Sequence, residues 1–347
     1  METPVHTASR PGLGRRQFLK VAAAGAAGAA TLGLGMPALA QAPRTIRFGS
    51  PQPAASLYNK AIVMFADEAA KLSGGKIKVE VFPGSELGGV AEMLSSVQAG
   101  ALGMTIAVPA WYSNYIKPMD LFTLPYLVSS PERLKAGLDG DIGRQVAALS
   151  GPAGFHIAGS FLMGGRHIVN KVRAIRSPAD VAGLKLRVIN SQVYLQAFRA
   201  LGANPVALDP AELYLALQQG VVDGFAYPLP DILDAKLNEV AGHVTLDSHV
   251  TDFFVASMNK ALWDGMSPEE QGIVTQAMKT AADWQWGEQP RVIEQALSKL
   301  RSVVEVTDLS PEERQQFVEA TRPIYKNFED SIGADLLASA MKELGGA

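Results

Sequence analysis

Ser73-Gly74-Gly75-Lys76 has the S-x-x-K spacing of serine-nucleophile enzymes that recognise penicillins. It lies in a glycine-rich turn rather than at a helix start, and the accompanying S-D-N and K-T-G elements are absent, so it reads as a turn. His156, His167, His243 and His249 lack metal-ligand spacing such as H-E-x-x-H. No G-x-S-x-G elbow, Walker A loop or Rossmann G-x-G-x-x-G follows an expected strand. A carboxylate pair for glycoside hydrolysis stays open, because its defining separation is spatial. No catalytic residue, metal ligand or cofactor is therefore assigned. Arg187 offers a different chemistry. In Leu184-Lys185-Leu186-Arg187-Val188 the alternation puts the apolar residues on one face and Arg187 on the other. A planar guanidinium grips a carboxylate through two parallel hydrogen bonds, which lysine cannot copy. The alternative is a strand arginine facing solvent, the usual setting for this residue type.

The chain has 347 residues, which corresponds to about two domains. Apolar residues make up 48%, so most of the chain can bury a core. The net charge of −3 argues against nucleic acid as a partner. There is no cysteine, which excludes disulfides, thiol catalysis and Cys-ligated metals and suits an oxidising compartment.

Residues 1–40 read as an address. Arg15-Arg16 precede an apolar run, Val21 to Leu34, that is shorter than the roughly 20 residues a bilayer span needs. Ala38-Leu39-Ala40 then gives an A-x-A cleavage site before Gln41. The paired arginines point to the Tat route, although Gly14 stands where such signals more often carry Ser or Thr. Cleavage near Ala40 removes four basic residues and one acid, so the exported, periplasmic chain is more negative by three charges. No later segment is apolar for long enough to span a membrane.

The body alternates strands and helices, which predicts parallel α/β sheets. Strands are expected at 45–49, 76–82, 104–108 and 155–160, then at 184–188 and 204–207, and Val221–Ala226 leads into Pro228. Helices are expected at 56–72, 89–99 and 193–201, and from Asp209-Pro210-Ala211-Glu212 to Gln219. Phe253–Met258 returns the chain to the first sheet. Ser267-Pro268-Glu269-Glu270 and Ser310-Pro311-Glu312-Glu313 are matching capping boxes. The first opens a helix of about 35 residues, roughly 50 Å long, with Pro290 as an expected kink. A helix of that length suits a brace across two domains.

The most specific stretch runs from Gly165 to Pro228. Gly-Arg-His-Ile-Val-Asn-Lys (165–171) precedes Gly183-Leu184-Lys185-Leu186-Arg187-Val188, then Leu201-Gly202-Ala203-Asn204-Pro205 and Glu212-Leu213-Tyr214. Val221-Val222-Asp223-Gly224 follows, and Phe82-Pro83-Gly84-Ser85-Glu86-Leu87-Gly88 and Leu124-Pro125-Tyr126 come earlier. In this order the set resembles the DctP-type solute receptors of TRAP transporters over essentially all of the chain after the leader.

The resemblance implies a type II periplasmic-binding-protein fold: two α/β domains around a cleft, joined by crossing strands and a long helix. Domain I is expected at 41–164 plus 253–290, and domain II at 165–252 plus 291–347. The resemblance further implies a monomer, an organic carboxylate as ligand and the membrane subunits of a TRAP permease as partners. Arg187 matches the family arginine that salt-bridges the ligand carboxylate. Arg166 matches a second basic position, for steering or a further contact. Asn190 matches a position that often hydrogen-bonds ligand, the alternative being a turn asparagine. Glu212 and Tyr214 are expected as cap and core, and Asp223-Gly224 as a turn.

The departures concern the ligand. Tyr227 stands where relatives that bind sugar acids carry an amide residue, and Val108, Pro109 and Trp111 stand where they place polar side chains. Such walls favour an aromatic or branched aliphatic carboxylate, although Trp111, Tyr112 and Tyr227 also fit ordinary core packing. Two other classes remain open: an exported enzyme acting on a small carboxylic acid, and a receptor serving an ABC permease or sensor kinase.

Overall fold

The computed structural model describes residues 43–346, so the leader and its cleavage point at Ala40 lie outside the described residues. From Pro43 onward the chain forms one compact unit. Its strands are β1 (Arg44–Gly49), β2 (Ile77–Phe82), β3 (Met104–Ala107), β4 (Phe155–Asn170), β5 (Lys185–Val188), β6 (Asn204–Ala207), β7 (Gly224–Pro228), β8 (His243–Asn259) and β9 (Glu305–Asp308). They form one sheet in the order β2-β1-β3-β8-β4-β7-β5-β6, with β9 on β8. β1 pairs in parallel with β2 and β3, and β5 with β6 and β7. Between these two parallel sets run β8 and β4, antiparallel to each other, to β3 and to β7, while β9 pairs with β8 in parallel.

β4 and β8 are the crossing strands, and both are far longer than the sequence shows. β4 was expected over 155–160 and continues to Asn170; β8 was expected from Phe253 and begins at His243. Register shifts at Ile157/Gly159, Leu162/Gly164 and Arg166/Ile168 break the period of two along β4. In β8 the buried side chains include Thr245, Asp247, Thr251 and Asp252, so polarity hides a strand that is covered on both faces.

The helix starts at Ser267 and Ser310 appear as their capping boxes predict. Ser56 accepts a hydrogen bond from the Asn59 N–H and opens Leu57–Leu72, whose buried face carries Tyr58, Ile62 and Phe65. Gly100, at φ 80°, closes Val90–Ala99 in the left-handed conformation. Asp209 and Glu212 form the expected capping box, but around a 3-10 turn that precedes the helix Leu213–Gln218. The long helix spans Pro268–Arg301 with Pro290 inside it. It packs on Leu57–Leu72 and β4, and also on the short helix Leu229–Asp234 and β9, so it bridges both halves of the sheet. Glycines permit its close approach to β4: a Cβ at Gly159 would lie 2.8 Å from Met278 Cγ, and one at Gly164 2.6 Å from Ile293 Cδ1.

The C-terminal helix Ala334–Glu343 packs against the helices Pro131–Asp139 and Asp141–Ser150. Ser129 N–H donates to the Leu344 carbonyl at 3.0 Å, and the fully buried Leu344 fills the space beside Gly137. This end of the chain, expected with the second half, therefore returns to the first.

Candidate functional site

Arg187 sits in β5 between β6 and β7, paired with Val206 and Phe225. Leu186 and Val188 are buried on one face as the alternation predicts, but the opposite face is covered too, and Arg187 is only 1% exposed. The solvent-facing alternative is thereby excluded. Arg187 Nε donates to the Leu208 carbonyl at 2.9 Å, whereas Nη2 has no partner among the described residues. Among the described residues no carboxylate forms an ion pair with it; Asp209 acts on it from farther away. Burial pulls its pKa below the ordinary arginine value. An arginine nevertheless stays protonated, so this buried cation lacks a close counter-charge.

Arg166 lies in β4 and is buried as well, with its charge already matched. Nη1 donates to Asp252 Oδ2 at 2.5 Å and Nη2 to the Ala226 carbonyl at 2.7 Å, and Nε has no partner among the described residues. Burial works against its charge, but Tyr194, Asp252 and Tyr227 more than restore it. The Tyr227 ring joins the two arginines: the guanidinium carbons of Arg166 and Arg187 lie 5.3 and 5.7 Å from its centre, within cation–π range.

These groups line a cavity of about 240 Å³. Its polar members include Arg166, Arg187, Gln52 and Asp231, and its walls include Val90, Val108, Trp111, Met163, Ile189 and Phe254. Apolar walls with a few convergent polar groups are the usual form of a small-molecule site. Of the residues expected from sequence, Arg187, Arg166, Tyr227, Trp111 and Val108 therefore meet in one place. Asn190 does not join them; it is exposed, and its neighbour Ile189 lines the wall instead. Asp223 is a structural turn residue, its Oδ2 accepting the Lys185 N–H at 2.9 Å.

Two acids in this region were not legible in the sequence. Asp252 is separated from Arg166 by 86 residues and lies in the part of β8 that does not read as strand. Asp231 is a buried residue of the short helix Leu229–Asp234. Its Oδ2 accepts the Tyr58 hydroxyl at 3.1 Å, while Oδ1 has no partner among the described residues. Burial, and after it Asp234, pushes its carboxyl up to about 7. From Asp231 a buried polar chain leads to the long helix. Gln289 Nε2 donates to Tyr58 Oη at 3.3 Å and to the Met163 carbonyl of β4 at 3.0 Å. Gln285 Nε2 donates to Gln289 Oε1 at 3.0 Å and to the Leu162 carbonyl at 2.8 Å.

Elsewhere His249 Nδ1 lies 2.7 Å from Asp247 Oδ2, but neither residue lines the cavity. Among the described residues no group of three or more His, Asp or Glu is placed to hold a metal ion. None of their helices is long and apolar enough to cross a membrane.

Comparison with known proteins agrees with this architecture. The DctP family, described as bacterial extracellular solute-binding protein, family 7, matches residues 48–331. The C4-dicarboxylate-binding periplasmic protein DctP of Rhodobacter capsulatus is 30% identical over 90% of this chain and 94% of its own length. The sugar acid binding protein DctPAm of Advenella mimigardefordensis, solved with galactonate, is 31% identical with a TM-score of 0.85, covering 88% of this chain and 98% of that one. A TRAP periplasmic solute binding protein of Ralstonia eutropha, solved with (S)-2-acetolactate, is 29% identical with a TM-score of 0.83, over 87% and 98%. The two-domain type II fold expected from sequence is thus the fold of the solved relatives. With its family match, its crossing strands and a buried arginine facing an apolar cavity, the chain belongs to the DctP family of bacterial extracellular solute-binding proteins.

Proposed function

We propose that this protein is a periplasmic receptor that captures a small carboxylate with a branched aliphatic or aromatic body and delivers it to a TRAP-type permease. The observation that carries this reading is Arg187: a buried guanidinium with a free Nη2 and no ion-pair partner among the described residues, lining a mostly apolar cavity. A ligand carboxylate supplies the missing counter-charge and hydrogen-bond acceptor. Arg166 and Tyr227 hold the arginine's surroundings, and Val108, Trp111, Met163 and Phe254 receive the apolar body. Relatives bind acids of several kinds: the R. capsulatus protein is named for C4-dicarboxylates, and the other two were solved with galactonate and the branched acid acetolactate. The walls of the present cavity favour the last of these chemistries.

The Tat-type leader delivers the chain to the periplasm, where it acts as a monomer without catalysis. The cleft closes between a first domain, 41–164 plus 253–290, and a second, 165–252 plus 291–347, with the last helix docked back on the first.

A thermal-shift panel tests the reading. Carboxylates with branched, aromatic, polyhydroxylated and straight-chain bodies are added to protein that has been unfolded and refolded to strip any bound solute. A ligand at about 100 times its Kd adds roughly 2.7 kcal/mol, a shift of several degrees. Stabilisation by branched or aromatic acids, and none by the matching amides, is expected. A preference for polyhydroxylated acids would overturn the ligand class, and indifference to carboxylates would overturn the receptor reading.

A further inference from the structure

The charges around the cavity are unevenly spent. Arg166 is neutralised by Asp252, which it meets at 2.5 Å. Among the described residues Arg187 has no ion-pair partner, so it is the cation the cavity has to offer. Asp231 also lines it, buried to 1% exposure, with its Oδ1 lacking a partner among the described residues. The charged and titratable groups acting on Asp231 come from several elements: Tyr58 from the helix Leu57–Leu72, Asp234 from its own helix, Arg166 from β4 and Asp252 from β8. Asp231 thus stands as an acid inside a site built for an acid. It carries a vacant hydrogen-bonding position where burial makes such a vacancy costly.

We propose that Asp231 is a specificity-determining residue: it restricts the ligand to a single carboxylate by opposing a second negative charge, and its Oδ1 pairs with a hydroxyl on the ligand body. This deepens the carboxylate reading of the same cavity and rests on it. A hydroxyl both donates and accepts, so it satisfies Asp231 whether the carboxyl is ionised or protonated. A second carboxylate would face Asp231 with no unpaired cation beside it, and the two can be held together only if one of them takes up a proton, at a cost that grows as the pH rises above the Asp231 titration. An unsubstituted hydrocarbon body would leave Oδ1 unpaired, which is the larger part of the penalty when one partner of a buried polar pair is missing.

Three probes on one branched skeleton separate these effects. They are tert-butylacetate, with one carboxylate and no hydroxyl; pantoate, with hydroxyls; and gem-dimethylsuccinate, with a second carboxylate. Calorimetric titration at pH 8, where Asp231 and both succinate groups are ionised, is run on wild type, Asp231→Asn and Asp231→Leu. Wild type should bind pantoate at least about tenfold tighter than either other probe. Asp231→Asn keeps the shape and removes the charge, and should gain about tenfold or more for dimethylsuccinate relative to tert-butylacetate. Asp231→Leu should bring pantoate and tert-butylacetate to within a few-fold of each other. Thermal melts confirm that each variant is folded. If the probes bind but their order is the same in all three proteins, Asp231 does not set specificity and the inference is overturned while the carboxylate site stands. If none of the three binds to wild type, the branched-acid reading fails and takes this inference with it.

Discussion

Arg166 and Asp252 form a buried ion pair, Nη1 to Oδ2 at 2.5 Å, that ties one crossing strand to the other. Both side chains are at most 3% exposed, so neither charge has water as a substitute partner. Removing one member strands the other, which costs about 3–5 kcal/mol. Asp252→Ala should therefore lower the free energy of unfolding by about that amount, measured by urea denaturation. Replacing both residues with apolar ones of similar volume should cost less than the single change. Equal stabilities of wild type and Asp252→Ala would show that the pair does not hold the strands together.

Gln289 anchors the long helix to β4 and, through Tyr58, to Asp231. Gln289→Leu leaves the Met163 carbonyl and the Gln285 amide short of partners in a buried setting. Each buried orphan costs about 1–3 kcal/mol, so the midpoint of thermal unfolding should fall by several degrees. An unchanged melting temperature would mean that water replaces the lost bonds.

His167 gives the fold an acid sensitivity. Burial pulls its pKa down to about 4, the nearby Asp247 only partly opposing it. In the unfolded chain it titrates near 6.5, so between about 6.5 and 4 the unfolded state holds more protons. The stabilisation is complete above that window and is lost as pH falls through it, by about 1.4 kcal/mol per pH unit. The raised carboxyl of Asp231 acts in the opposite direction, but it is common to wild type and variant. Urea unfolding at pH 7, 6 and 5 should show wild type losing stability more steeply than His167→Gln. Parallel losses would assign the acid sensitivity to other groups.

Much of the site was legible because its signals are local. The period of two in 184–188 placed Arg187 opposite Leu186 and Val188, and the helix starts at Ser267 and Ser310 appear as their caps predict. What the sequence could not show depends on partners far along the chain. Whether Arg187 faced solvent was decided by the covering of the second sheet face. Asp252 and Asp231 draw their roles from Arg166 and Tyr58, which lie 86 and 173 residues away. β4 and β8 escaped because register shifts and buried polar residues erase the alternation on which strand reading rests. Asn190 matched a motif position, but a motif does not say which of two adjacent residues turns inward, and here it is Ile189.

Trp111 lies in the short helix Pro109–Tyr112 and forms part of the cavity wall at 8% exposure. Trp111→Ala would remove apolar contact worth about 1.5–3 kcal/mol from a ligand packed against it, a loss of roughly tenfold to over a hundredfold in affinity. Titration with the best branched or aromatic acid from the panel measures this. Unaltered affinity would place the ligand body against the other walls.

The central claim is that Arg187 supplies the free cation for a ligand carboxylate. The direct test is calorimetric titration of the best carboxylate ligand into wild type, Arg187→Lys and Arg187→Ala, with folding confirmed by melts. Arg187→Ala should lose about 3–5 kcal/mol, a hundredfold to several thousandfold in Kd. Arg187→Lys should recover only part of it, because an ammonium group cannot make the paired hydrogen bonds. Affinity in folded Arg187→Ala within a few-fold of wild type would contradict the account.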